Sequence, residues 1–291
     1  MIVSMTGFAR SEVNVPGGSL VCELRSVNHR FLEVAVRLPE ELRALEPELR
    51  ATLQKELRRG KVDGIFTYRT VLQSEHSLEL DAAVLESLTS ALAALAAAAR
   101  TAQAPAQVNL VDLLRYPGVV HETPIDAQQL ATTARELLAN ALQGLKSMRR
   151  NEGAHLAELI TQRCTQLSSA VAQVRQRLPE VQTALRARLG ERIAELGTTV
   201  NAERLEQEVV LLVQRMDVAE ELDRLDGHLA ETLRIVAGPE AAGRRLDFLM
   251  QEFNREANTL SSKSQDLATT RLAVDMKVLI EQMREQVQNI E

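Results

Sequence analysis

A chain of 291 residues with 45% hydrophobic side chains is long enough for two domains and ordinary in the core it can bury. Its formal net charge of −6 excludes a protein that coats nucleic acid without specificity, though not one with a local basic patch. With five Phe, two Tyr and no Trp, the core must be built from Leu, Val, Ile and Ala, and a nucleic-acid strand must be held mainly through its backbone rather than on stacked rings.

Residues 1–72 predict a small α+β unit. The segments 2–13, 19–27 and 31–38 are enriched in β-branched residues with partial alternation and read as strands, with Pro16-Gly17-Gly18 turning the chain between the first two. Asn28-His29-Arg30 joins the second to the third. Pro39 opens a helix over 40–58, whose Leu42, Leu45, Leu49, Leu53 and Leu57 fall at helical spacing. RRGKVDG then turns into a fourth strand over 65–72. This unit carries eleven Lys/Arg against nine Asp/Glu, so positive charge gathers at the N-terminal end of an acidic chain.

Beyond Ser74 the period becomes helical. An Ala/Leu helix spans 81–101, TAQAPAQ is a linker, and a short helix ends at Pro117-Gly118. The apolar run at 91–99 is too short and too Ala-rich to cross a bilayer. No proline interrupts 125–178, which predicts one long helix or two in tandem, with Gly144 and Gly153 as bends. Helices follow over 180–195 and 203–236, then a break at Gly238-Pro239, then helices over 240–257 and 265–288. The fold class expected is α+β: a small N-terminal sheet with a helix, followed by a region rich in long helices. The divisions expected are 1–75, 76–180 and 181–291. Cys22 and Cys164 are too far apart to make a disulfide framework, and MIVSMTGFARSE has neither a basic start nor an apolar stretch. Both point to the cytoplasm.

The chemistry gathers in two places. Glu252 and Glu256 lie four apart on a helix, so they either share a divalent cation or bridge to Arg245 and Arg255. In 217–229, Glu221, Arg224 and His228 fall on one helical face, which is either a site or a solvated surface with one satisfied histidine. Asp217, Glu220 and Asp247 are acidic rivals. In 25–33, Arg25, Asn28, His29 and Arg30 crowd a turn that can grip phosphate or be merely polar. The RRGK segment at 58–61 places Arg59 and Lys61 beside an open backbone at Gly60. No phosphate loop, dinucleotide fingerprint, nucleophile elbow or CxxC pair is present.

SMTGFAR (4–10), ELRSVNHRFLE (23–33), RLP (37–39) and RGKVD (59–63) resemble the N-terminal signature of the YicC/YloC family. NEGAHL (151–156) is similar to its central REGxxL element, with Asn151 in place of a charged residue. EELDRLDGHL (220–229), GRRLDFLMQEFNREANTLSSKS (243–264) and the terminal REQVQNIE resemble its C-terminal signature. That family is known as bacterial endoribonucleases that need a divalent metal and assemble as hexamers. The resemblance therefore implies a cytoplasmic hexamer that cuts RNA with Mn²⁺ or Mg²⁺ and meets other RNA-decay proteins, with no membrane partner. On this reading His228, Glu252 and Glu256 are catalytic, and with Glu221 they ligate the metal. Arg25, Asn28, His29, Arg30, Arg59, Lys61 and Lys263 become the RNA contacts, and residues 1–75 the RNA-contacting, oligomer-forming part. A non-catalytic RNA-binding adaptor and a purely structural helical protein are the readings from other classes.

Overall fold

The computed structural model describes residues 2–15, 18–70, 80–101, 107–120, 127–195 and 202–291. The turn at Pro16-Gly17, the linker across 102–106, Pro124 and the end of the fourth strand at 71–72 lie outside them. Four strands form one mixed sheet: β1 (Gly7–Val15), β2 (Gly18–Val27), β3 (Leu32–Arg37) and β4 (Gly60–Thr70), in the order β1-β2-β4-β3. β1 and β4 flank β2 antiparallel, and β3 runs parallel to β4. The parallel pair is joined by a 3-10 turn at Glu40–Leu45 and the helix α1 (Glu46–Glu56). Leu42, Leu49 and Leu53 are the buried positions of that connection.

Two strand limits differ from the sequence expectation. Residues 2–6 are outside the sheet, because Ile2 belongs to the helical core and Ser4 bridges Ile290 instead. β4 starts at Gly60, not at 65, so KVDG is strand rather than turn. Gly60 makes the turn, with φ of +108°. Gly64 serves packing: a Cβ there would stand 3.2 Å from Leu24 Cδ2.

The helices are α2 (Ala82–Thr101), α3 (Leu110–Leu114), α4 (Ala127–Glu195), α5 (Ala202–Arg215), α6 (Ala219–Ala237), α7 (Gly243–Lys263) and α8 (Leu267–Val287). The apolar run at 91–99 is part of the twenty-residue α2, which by length and composition alone is long and apolar enough to span a bilayer. None of α2 is buried. α4 is one helix of 69 residues, on the order of 100 Å long, with Pro179 inside it. Gly144 and Gly153 do not break it. They are points of close approach: a Cβ on Gly144 would stand 3.4 Å from Ala9 Cβ, and one on Gly153 would stand 2.3 Å from Ile2 O. The helix expected over 203–236 is split at 216–218, where the Asp217 carboxylate accepts the Ala219 N–H at 3.0 Å and starts α6 afresh.

Two cores result, and α4 runs through both. Leu130, Leu137, Leu138, Ala141 and Leu145 of its first half pack on Leu20, Leu24, Val62 and Phe66 of the sheet. Leu156, Ile160, Leu167 and Val174 of its second half pack among α6, α7 and α8. The two ends of the chain meet at the junction. Met5 N–H donates to Asn289 O at 2.7 Å, and Glu291 N–H donates to Val3 O at 2.9 Å. REQVQNIE thus closes onto residues 3–5.

Candidate functional site

α6 and α7 are amphipathic neighbours joined by a short turn at Gly238-Pro239, so they pack antiparallel. Leu222, Leu225 and Leu229 of α6 and Leu246, Met250, Phe253 and Leu260 of α7 form the apolar seam. Beside it runs a ladder of polar groups. At one end Lys263 Nζ donates to Glu221 Oε1 at 2.7 Å and to Asp217 O at 2.9 Å. Next, Arg224 reaches Glu256 Oε1 at 3.3 Å and also binds Glu220. These carboxylates, Glu256 first, raise the pKa of the Arg224 guanidinium.

The third rung is different. His228, Glu252 and Glu256 each place one ligand atom within 4.8 Å of the other two. Glu256 is buried and Glu252 is partly exposed. The His228 ring stands edge-on to Phe253, with centroids 5.6 Å apart and planes at 77°. Its Nε2 is buried without a hydrogen-bond partner among the described residues. Donors around one small dication sit about 3 to 4 Å apart, so the three groups fit such an ion after modest side-chain closure. One imidazole nitrogen with two carboxylates is a donor set suited to Mn²⁺ as well as Mg²⁺. Arg224 occupies one oxygen of Glu256 and leaves the other.

The salt-bridge alternative is met only in part. Arg255 lies 3.8 Å from Glu252, while Arg245 pairs with Glu231 and Glu240. Glu221 stands two turns before His228, held by Lys263, outside the three-residue cluster. Among the rivals, Asp217 accepts the Ala219 N–H, Glu220 holds Arg224 and Asp247 accepts from Gln251. Cys22 and Cys164 supply no nucleophile, because burial pushes their thiols up to about 12 and about 11.

The N-terminal candidates gather at the end of the sheet. Arg25 is exposed on β2, between Phe8 of β1 and Asp63 of β4 in the register. Lys61 is exposed on β4, opposite Val27 and Glu33. Asn28 and Arg30 are exposed, and the Arg30 guanidinium lies 5.2 Å from the centre of the Phe31 ring. His29 Nδ1 is 3.2 Å from Phe31 O, and its Nε2 is 3.6 Å from Glu33. Arg59 Nε donates to His29 O at 3.2 Å, which brings the RSVNHR turn and the RGK segment together. Among the described residues, no hydrogen bond or ion pair joins this group to the His228 cluster.

Sequence reasoning passed over Arg149. It is 1% exposed, donates from Nε to Ser4 O, and pairs with Glu291 at 2.8 Å. Burial lowers its pKa, while Glu291 and Glu152 oppose that shift. The only signal for it was an Arg-Arg pair in a helix, which ordinarily marks a solvated face.

The description "Endoribonuclease YicC-like, N-terminal region" fits residues 2–158, and "Endoribonuclease YicC-like, C-terminal" fits residues 174–291. The chain is 44% identical over 295 residues to the probable endoribonuclease YicC of Haemophilus influenzae, with 100% of both chains covered. It is 29% identical over 296 residues to the probable endoribonuclease YicC of Clostridioides difficile, again with 100% of both covered.

Proposed function

We propose, from the premise that this chain belongs to the YicC-like endoribonuclease family, that it cleaves RNA phosphodiester bonds at the α6–α7 seam with a divalent cation held by His228, Glu252 and Glu256. The observation that carries this reading is the third rung of the ladder: three residues with ligand atoms within 4.8 Å of one another, one of them a histidine whose Nε2 is buried with no partner among the described residues. A bound dication would supply Lewis-acid polarisation of the scissile phosphate and a lowered pKa for bound water. The chain's own residues do the rest. Phe253 fixes the His228 ring edge-on, so that Nε2 faces a constant direction. Arg224 neutralises part of the Glu256 charge and keeps that carboxylate from turning away. Glu221, tied to Lys263, stands in reserve as a fourth ligand two turns along.

Arg25, Asn28, His29, Arg30, Arg59 and Lys61 are the RNA contacts in this reading. They hold the backbone by charge and hydrogen bonds, as a chain so poor in rings requires. Lys263 retains one of its three ammonium donors for a phosphate. The part over 1–75 grips RNA and the part over 181–291 cuts it, with 76–180 between them. Assembly as a cytoplasmic hexamer belongs to the same proposal. It is supported by the exposed Leu95, Val108, Leu110, Val111 and Tyr116, whose apolar area is left open among the described residues.

The test is a labelled structured RNA incubated with purified protein in Mn²⁺, in Mg²⁺ and in chelator. Cutting that stops in chelator, and in Glu252→Gln and Glu256→Gln while RNA binding persists, is the expected result. Cutting that continues in chelator overturns the metal role, and binding without any cutting makes the chain an adaptor. A 5′-phosphate and 3′-OH on the products point to water as nucleophile. A cyclic phosphate points to the RNA's own 2′-OH, with His228 or His29 as base.

A further inference from the structure

Where the two cores meet, a cleft of about 600 Å³ opens between the end of α1, the middle of α4 and the start of α7. Its walls hold six cations, Arg58, Arg59, Lys146, Arg149, Arg150 and Arg244, against three carboxylates, Glu56, Glu240 and Glu291. That is a local excess of positive charge on a chain of net −6. None of His228, Glu252 and Glu256 lines it.

The carboxylates there already have partners. Glu56 binds Lys146, Glu240 binds Arg245, and Glu291 binds the buried Arg149. Arg58, Arg150 and Arg244 are exposed, and among the described residues none of the three makes an ion pair or side-chain hydrogen bond. Three uncompensated guanidiniums around one concavity repel each other unless an anion lies between them. At the start of α7, beside Arg244, the Gly243 N–H already donates to Glu291 O at 3.3 Å.

We propose that this cleft grips the phosphodiester backbone of RNA as a second contact, separate from the His228 cluster. The inference rests on the endoribonuclease reading for the identity of its anion. Arg244 lies eight residues before Glu252 on the same helix, an axial rise of about 12 Å, or roughly three to four stacked nucleotides. A strand seated on Arg58, Arg150 and Arg244 would lead along α7 toward the cluster. Arg59, which lines the cleft and also binds His29 O, would connect it to the RSVNHR turn.

The experiment measures binding of a fluorescein-labelled single-stranded RNA to the full chain, in chelator, across a salt series. The variants are R58A/R150A/R244A, the same three positions as Lys, and a control triple, R186A/R188A/R192A, at the far end of α4. The cleft triple should lower the slope of log affinity against log salt by about two, since each lost single-strand contact removes ~0.7. The lysine triple should restore most of the slope, and the control triple, of equal charge change, should leave it near wild type. If the cleft triple does not fold, each single substitution should lower the slope by about 0.7. A cleft variant with the wild-type slope, or a control triple that loses as much, overturns the cleft and leaves the nuclease reading standing. Wild-type protein that binds no RNA overturns both.

Discussion

Gly153 offers a test in which two physical arguments give opposite signs. It lies in the interior of α4, where Gly→Ala ordinarily stabilises a helix by about 0.5 to 1 kcal/mol. Here a Cβ would stand 2.3 Å from Ile2 O, 2.8 Å from Ile2 C and 2.9 Å from Val3 Cα. All three are backbone atoms, which cannot swing aside, so residues 2–3 would have to retreat by roughly 1 Å to reach ordinary contact. That segment is held by Ser4 N–H to Arg149 O at 2.9 Å, Met5 N–H to Asn289 O at 2.7 Å and Glu291 N–H to Val3 O at 2.9 Å. Each bond contributes about 1 kcal/mol, and burial of Ile2 about 1.5 to 3 kcal/mol more. Partial loss of these outweighs the propensity gain, so Gly153→Ala should destabilise by about 2 to 4 kcal/mol. Gly190 is the internal control: it lies in the same helix with nothing within 4 Å of a Cβ, and Gly190→Ala should gain about 0.5 to 1 kcal/mol. Urea unfolding followed by far-UV circular dichroism at one protein concentration measures both. A Gly153→Ala midpoint at or above that of wild type would refute the docking of residues 2–5 on α4.

Two further outcomes are expected. Asp266 caps α8 through Thr269 N–H at 2.9 Å and pairs with Arg177 at 2.6 Å, and Arg177 first, then Thr269, hold its carboxyl well below the usual range. A lowered folded-state pKa gives stability that is full above the ordinary Asp value and lost as pH falls through the lowered one. Asp266→Ala should therefore cost about 1 kcal/mol at pH 7, with a difference from wild type that shrinks only below about pH 4, read from urea midpoints across pH; a cost that is constant down to pH 2 counts against the ion pair. Light scattering at micromolar concentration should give a mass near six chains, and a stable monomer would remove the hexamer from the proposal.

The helical half was legible because its apolar residues recur at three and four, and the buried faces of α6 and α7 are those very positions. The i, i+4 spacing of Glu252 and Glu256 placed both carboxylates on one side of α7. The i, i+7 spacing of Glu221 and His228 placed both on one side of α6. What the spacing could not supply was the offset of α6 against α7. That offset pairs Lys263 with Glu221 and leaves His228, not Glu221, facing the two glutamates. Glycine was misread for a related reason. Gly64, Gly144 and Gly153 carry turn or bend signals in one dimension, yet each is small because another segment passes close to it in three. Arg149 was invisible on similar grounds: its burial depends on residues 4 and 291 arriving together at α4, a contact no local pattern contains.

The α6–α7 ladder also separates the part of the seam that serves the fold from the part that serves chemistry. Two rungs balance internally, Glu221 with Lys263 and Arg224 with Glu256 and Glu220. Glu221 Oε2 is buried without a partner among the described residues, but its other oxygen holds the lysine. In the third rung Arg224 and Arg255 face the two glutamates, but among the described residues His228 Nε2 has no partner. A buried imidazole nitrogen without a hydrogen bond costs about 1 to 3 kcal/mol, which a leucine beside Leu225, Leu229 and Phe253 would avoid. Folding alone favours that apolar replacement, since a polar group half satisfied in a packed seam is worse than none. Local rules and global fold agree along most of α6 and α7 and part company at His228. A site that must bind something beyond the chain itself is where such a conflict belongs.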